Sequence, residues 1–189
     1  MKHCGTQPIE TERLILRQFK SEDADAMFKN WTNDEEVTKY LTWRTVMKVA
    51  VCEDTDWLLS EEAYSIYAPC MYHPTCEDYR TQMEGFLQAS SVKVFVCEDR
   101  NRKAGMIVLK FSEAAAEIIG IAVSEKLRRR GIGKQLILSA MELERIGRIE
   151  AQTDDDSIGF YRRCGFSEEK SIIDYPDGSV VRYNCILNK

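Results

Sequence analysis

An α+β chain with a central mixed sheet is what the residue pattern from Met47 onward predicts. Three observations carry that expectation. The apolar period switches between strand and helix spacing in the order strand, two helices, three strands, helix, strand, helix, hairpin. Three strand-like stretches, Val92 to Cys97, Ala104 to Phe111 and Ala115 to Val123, stand side by side with only short turns between them. The third runs into a basic, glycine-containing turn, Arg128-Arg129-Arg130-Gly131-Ile132-Gly133-Lys134, that opens an amphipathic helix.

Taken in order, Arg13 to Phe19 alternates Leu14 and Leu16 with Arg13 and Arg17 and predicts a short strand. Ser21 then caps a helix carrying Ala24, Met27, Phe28 and Trp31, and a second short helix runs through Val37, Tyr40 and Leu41. Val46 to Cys52 reads as a strand. Asp54 or Thr55 caps a helix from Asp56 to about Ala68, which Pro69 ends. Glu77 to Gln88 is a helix with Tyr79, Met83, Phe86 and Leu87 as its apolar stripe. The turn between the first two central strands falls at Asp99 to Lys103, and Gly120 marks a bulge or local splaying in the third.

The helix from Gly131 to Ile146 buries Ile132, Leu136, Ile137, Ala140, Met141 and Leu143, with Gly147 as terminator. Ile149 to Gln152 is a short strand. Asp155 or Asp156 caps the helix through Ile158, Phe160 and Tyr161, which Gly165 stops. Ser171 to Leu187 is a hairpin turned at Pro176-Asp177-Gly178.

The basic turn carries the most chemistry. Two glycines one residue apart let the backbone turn tightly and approach a ligand with no Cβ in the way, so several N–H groups can converge on one anion. The helix behind adds its positive end, and Arg128, Arg129, Arg130 and Lys134 add charge around phosphate oxygens. A pyrophosphate fits this description; a solvated basic loop capping a helix is the competing reading.

Composition narrows the partner. The chain of 189 residues has a net charge of −5, so the molecule as a whole repels nucleic acid and the basic turn is a local exception, suited to a small anion. No apolar run reaches the roughly 20 residues needed to span a bilayer, and the first residues lack a signal peptide's apolar stretch, so no membrane is expected and the cytosol is the default address. Seven scattered cysteines without framework spacing read as reduced thiols. Cys70, His73 and Cys76 could meet in one turn, but a fourth ligand and paired spacing are missing, so no metal is expected.

The strand ending Ile121-Ala122-Val123, the following Arg128-x-x-Gly131-x-Gly133, and Phe160-Tyr161-x-x-x-Gly165-Phe166 after a short strand together resemble the GNAT superfamily of N-acetyltransferases. The resemblance implies an α/β/α layering of a mostly antiparallel sheet with flanking helices, and acetyl coenzyme A as co-substrate. Backbone groups of Ile121, Ala122 and Val123 would hold the pantetheine arm, and Arg128 to Lys134 the pyrophosphate. Tyr161 would protonate the departing thiolate. Asp154, Ser157 and Tyr161 would line the cofactor, although the family usually has Asn where this chain has Asp154, and an ionised Asp accepts but cannot donate.

Glu117 is the first candidate for a general base and Asp155 the second; a surface or capping role is the alternative for each. The resemblance borders the acceptor cleft with the stretch from Tyr64 to Phe86, whose Tyr67, Tyr72 and His73 are expected to line a pocket for a small amine. The implied activity is direct acetyl transfer to a primary amine of a small molecule or amino acid. An acyl-coenzyme A sensor without turnover and a protein N-terminal acetyltransferase are the alternatives.

Residues 1–46, from Ile9-Glu10-Thr11-Glu12-Arg13-Leu14-Ile15-Leu16-Arg17 to Trp31-Thr32-Asn33-Asp34, resemble the opening of the ribosomal-protein N-terminal acetyltransferases. A second opening begins at Met47, so the expected organisation is a truncated extension, 1–46, joined to an acetyltransferase domain, 47–189. The extension would pack outside or mediate self-association into a homodimer. A single domain whose first strand is Arg13 to Phe19 is the competing organisation.

Overall fold

The computed structural model describes residues 9–13, 15–17, 20–23, 47–99, 102–113, 115–175 and 178–188. The chain divides into two compact units, Met1–Val46 and Met47–Lys189. In the first unit, β1 (Ile9–Glu10) pairs antiparallel with β2 (Ile15–Leu16), and a 3-10 turn occupies Ser21–Asp23. Arg17 grips Asp23 with both guanidinium nitrogens at 2.6 Å, and that bond holds the Asp23 carboxyl at about 2. Of the strand expected over Arg13 to Phe19, Ile15–Leu16 is strand and residues 14, 18 and 19 lie outside the described residues, as do the helices expected from Ala24 to Leu41.

The second unit is a seven-stranded sheet in the order β3-β4-β5-β6-β7-β9-β8, antiparallel at every junction except β6 with β7. Its strands are β3 (Lys48–Val51), β4 (Val92–Asp99), β5 (Arg102–Phe111), β6 (Ala116–Val123), β7 (Arg148–Thr153), β8 (Ser167–Tyr175) and β9 (Gly178–Asn188). Helices cover both faces, in the expected layering. Under α4 (Ile132–Leu143) and α5 (Ile158–Cys164), Leu136, Ile137 and Ala140 meet Phe95, Ile107 and Leu109. Under α1 (Thr55–Leu58), α2 (Glu61–Tyr67) and α3 (Cys76–Gln88), Leu58, Tyr67, Tyr79 and Met83 meet Val94, Val96, Met106 and Val108. The inner strand β5 is therefore buried on both sides, as its run of apolar residues requires.

Several boundaries differ from the sequence reading, each for a local reason. The helix expected from Asp56 to Ala68 is two helices, because the Ser60 side chain caps a fresh start by accepting from Ala63 N–H at 3.3 Å. Thr75 and Asp78 form a reciprocal capping box, which starts α3 at Cys76. α4 ends before Gly147: Arg145 takes a φ of 54° and the Ile146 N–H closes back on Met141 O at 3.0 Å. Asp154, rather than Asp155 or Asp156, caps the turn into α5, its carboxylate accepting from Ser157 N–H at 3.1 Å. The hairpin strands are longer than expected, with residues 176 and 177 of the turn outside the description. Among the described residues no helix is long and apolar enough to cross a membrane.

Candidate active site

One extra residue in β6 organises the site. Val108 pairs with Gly120, but the next residue of β5, Leu109, pairs with Ile118, so Ile119 is left over as a bulge. Its first effect is on facing. Ala116 and Ile118 sit in the core under α4 and α5, and strict alternation would send Ala122 there too. Ala122 instead joins the core under α1 to α3, while Ile121 and Val123 pack on the α4 and α5 side.

The second effect is a split in the sheet. β7 pairs with β6 only from Ala116 to Ile118, so beyond the bulge that edge of β6 is open. In an antiparallel ladder alternate residues turn both backbone polar groups toward the partner. The Ser124 N–H donates to Ala104 O at 2.9 Å and fixes the phase: Ala122 and Gly120 address β5, whereas Ile121 and Val123 present N–H and C=O to the open edge. Two of these carbonyls already accept a bond. The Cys70 thiol reaches Ile121 O at 3.3 Å, and Arg128 Nε reaches Val123 O at 3.2 Å.

The open edge continues into the basic turn. Arg129 and Gly131 both adopt left-handed backbone, φ 63° and 81°, and no side chain caps α4. Among the described residues no hydrogen bond uses any backbone N–H from Arg129 to Lys134; the first helical bond is Gln135 N–H to Gly131 O. That run of free donors at a helix N-terminus has the geometry to receive an anion. The two glycines divide the work differently from the sequence expectation. Gly131 supplies the left-handed turn, whereas Gly133 is buried inside α4, where a Cβ would stand 2.8 Å from the Phe160 ring. Gly133 thus lets α5 approach α4.

Phe160 stacks edge-on against Tyr161 at 5.1 Å, and Tyr161 against Phe166 at 5.2 Å, so α5 holds the Tyr161 ring firmly in the core. Among the described residues its hydroxyl has no hydrogen-bond partner, and no side-chain oxygen there is both shut from solvent and unpartnered. The Tyr161 tip therefore reaches solvent while the ring is buried. Burial, followed by Cys70, Cys185, Cys164 and Asp154, pushes its phenol far above the ordinary range, so it stays protonated.

The expected acceptor residues part company. Tyr72 is 92% exposed and stacks on His73, which takes a φ of 44° on the same exposed turn. Tyr67 is 2% exposed, and its ring lies on the far side of β6 from Tyr161. A Cβ at Gly120 would stand 2.2 Å from its hydroxyl, so the bare glycine is what admits it. Like Tyr161, Tyr67 has no hydrogen-bond partner among the described residues and must have a wet tip. Its neighbours are satisfied: Tyr79 donates to Leu58 O at 2.6 Å and Tyr64 to Pro74 O at 3.0 Å.

Of the carboxylates, Asp155 accepts from the Tyr183 hydroxyl at 2.7 Å and is tied to β9. Asp154 and Ser157 share the turn ahead of α5 described above. Glu117 is exposed, opposite Lys110 and Glu150 across the paired end of β6. Because Ala116 and Ile118 face α4, Glu117 faces α2, and the bulge brings Gly120 onto that same face about 10 Å along the strand.

The sequence reading weighed Cys70 only as a metal ligand and did not place it at the β6 edge, because its partner Ile121 is distant in the chain and the Pro69-Cys70 pair carries no local signal. Its thiol is tucked against β6 although the residue is exposed, and desolvation pushes it up against the smaller opposing effects of the Ile121 bond and Arg128. Cys70, His73 and Cys76 do not gather as metal ligands; no such group occurs among the described residues.

Comparison with known proteins agrees with this fold. The chain is 41% identical over 66 residues to an uncharacterised N-acetyltransferase, YvbK, of Bacillus subtilis, a stretch covering 32% of this chain and 43% of that relative. A Bacillus subtilis acetyltransferase solved in complex with coenzyme A superposes with a TM-score of 0.56 at 21% identity, over 76% of this chain and 99% of the other. An Escherichia coli ribosomal-protein alanine N-acetyltransferase does so with a TM-score of 0.57 at 20% identity, over 76% and 94%. The family model described as "Acetyltransferase (GNAT) family" matches residues 60–166, from α2 through the split strand and basic turn to the end of α5, and the chain belongs to that family.

Proposed function

We propose that the chain moves the acetyl group of acetyl coenzyme A directly to a primary amine of a small molecule or amino acid. The observation that carries this reading is the open β6 edge running without interruption into the free N–H groups from Arg129 to Lys134. The pantetheine arm would be held by Ile121 and Val123, displacing the Cys70 and Arg128 bonds, while Ala122, expected to share that role, turns its backbone groups to β5; the pyrophosphate would sit in the amide turn within reach of Arg128, Arg129, Arg130 and Lys134. The thioester then falls in the split beside the Tyr161 tip. Tyr161 gives a proton to the departing thiolate. Glu117, whose carboxylate has no hydrogen bond or ion pair among the described residues, takes the amine's proton through water.

Asp154 contributes here by shaping the turn before α5 rather than by donating to the cofactor arm. The acceptor enters on the α2 side, and Tyr72 and His73 offer an exposed aromatic rim to it. The free thiols at Cys52, Cys70, Cys76, Cys97, Cys164 and Cys185 suit a reducing compartment, and we assign the reaction to the cytosol. Catalysis is assigned to Met47–Lys189, with Met1–Val46 an appendage.

The test is release of free coenzyme A thiol on addition of amines, amino acids, polyamines and N-terminal peptides, with products identified by mass spectrometry. Acceptor-dependent thiol release with a small amine supports the reading. Acetyl coenzyme A binding without such release leaves a sensor, and release only with peptides moves the acceptor class to protein N-termini. A chain beginning at Met47 that keeps turnover supports the assignment of the domain; loss of folding counts against it.

A further inference from the structure

Resting on that reading, we propose that the Tyr67 hydroxyl is a second catalytic donor, hydrogen-bonded to the acetyl carbonyl oxygen as negative charge develops there. Tyr67 and Tyr161 are buried rings with unpartnered, wet tips on opposite faces of the sheet, Tyr67 reaching from α2 over Gly120 beside the bulge and Tyr161 held on α5. Cys70, whose thiol is bonded to the open edge at Ile121, lies close enough to influence the titration of both phenols. Both tips are assigned to the same split, with the Tyr67 hydroxyl over Gly120 next to the bulge and the Cys70 thiol on the adjoining Ile121 O.

Two donors in one split serve different atoms. Attack by the amine lone pair on the carbonyl carbon forms the C–N bond and moves the C=O π pair onto oxygen; collapse restores C=O, breaks C–S and leaves the pair on sulfur. Sulfur takes a proton from Tyr161, and the nitrogen loses one through water to Glu117, which returns to Tyr161 through solvent. Oxygen gains and then loses charge with no net proton, so it needs a fixed neutral donor on the other side of the thioester. Tyr67 has the necessary properties: burial keeps it protonated, and no protein acceptor competes for its O–H. Gly120 leaves the space that the phenol occupies.

Tyr67→Phe is the test, with Tyr79→Phe as a control whose hydroxyl is spent on Leu58 O. Loss of an oxyanion donor lowers kcat by about 10²-fold. KM for the amine and affinity for acetyl coenzyme A should stay within about twofold, and the melting temperature should not fall, because no bond is lost. A kcat within twofold of the parent, or a raised amine KM at unchanged kcat, overturns the proposal while leaving acetyl transfer intact. If the parent protein turns over no amine, the proposed function fails separately. The donor is then read by binding: Tyr67→Phe should weaken S-acetonyl coenzyme A, which has the carbonyl, about threefold or more relative to S-propyl coenzyme A, which lacks it. Equal loss for the two overturns the proposal.

Discussion

Replacing Gly120 by Ala tests the packing on which the site depends. The added Cβ would stand 2.2 Å from the Tyr67 hydroxyl, 2.7 Å from Cζ and 2.9 Å from Cε2, so the rigid end of an aromatic ring must move rather than a flexible tip. The ring has little room, being 2% exposed and set 6.0 Å from the Tyr79 ring. Overpacking of this kind costs about 1–3 kcal/mol, and exchanging a strand glycine for alanine offsets about 0.5–1 kcal/mol of that. The expected net loss is about 1–2 kcal/mol, or roughly 2–8 °C in Tm for a chain of this size. Urea denaturation followed by circular dichroism measures it. Tyr67→Leu in the same background should relieve the clash, giving a coupling of at least about 1 kcal/mol between the two sites. Unchanged stability in Gly120→Ala, or strict additivity in the double variant, would show that the phenol does not lie over residue 120.

Other consequences are independent of that packing. Gly131→Ala forces a left-handed residue to carry a Cβ, at about 1–2 kcal/mol, and tilts the free amides; acetyl coenzyme A affinity measured by calorimetry should fall roughly tenfold. An unchanged affinity would remove the turn from pyrophosphate binding. Cys70 should alkylate slowly with iodoacetamide at neutral pH because its thiol is pushed up, and acetyl coenzyme A should protect it by covering the Ile121 edge. Labelling indifferent to the cofactor would separate Cys70 from the donor cleft. Burial raises the phenols of Tyr67, Tyr79 and Tyr161 in the folded chain, so their contribution to stability is full below the unfolded value near 10 and declines as pH climbs toward the folded values. Urea midpoints between about pH 9 and 11.5 should fall steeply, and less so in Tyr161→Phe.

Fold class was legible because the apolar period switches cleanly and the three central strands stand side by side with only short turns between them. Boundaries were less legible where a polar side chain decides between continuing and restarting. Ser60 breaks one helical stripe into two, yet in sequence it is a serine between apolar positions compatible with a single helix. Asp154, Asp155 and Asp156 are adjacent and chemically alike; only the Tyr183 hydroxyl on β9 and the Ser157 N–H distinguish their roles. The donor side of the site was readable as a motif because it is continuous in the chain. The Gly120 position carried a local signal for the bulge, but the identity of the residue filling the space left by its missing side chain did not.

The acceptor side was hard to read for a different physical reason. Tyr64, Tyr67, Tyr72 and Tyr79 look interchangeable as a string, and their roles separate only when the fate of each hydroxyl is known. Two are spent on backbone carbonyls, one stands in solvent, and Tyr67 alone combines a buried ring with an unspent donor. The bulge at Ile119 turns that difference into chemistry. It ends the pairing of β6 with β7, which frees the strand edge, and in the same step it exchanges the faces of the strand, which brings Gly120 beneath α2 while Ile121 and Val123 turn toward α5. In the arrangement we propose, an extended cofactor arm on that edge would be flanked by one phenol on each side. Deleting the extra residue should therefore abolish both properties together, since one backbone irregularity produces the opening and the two-sided supply of donors.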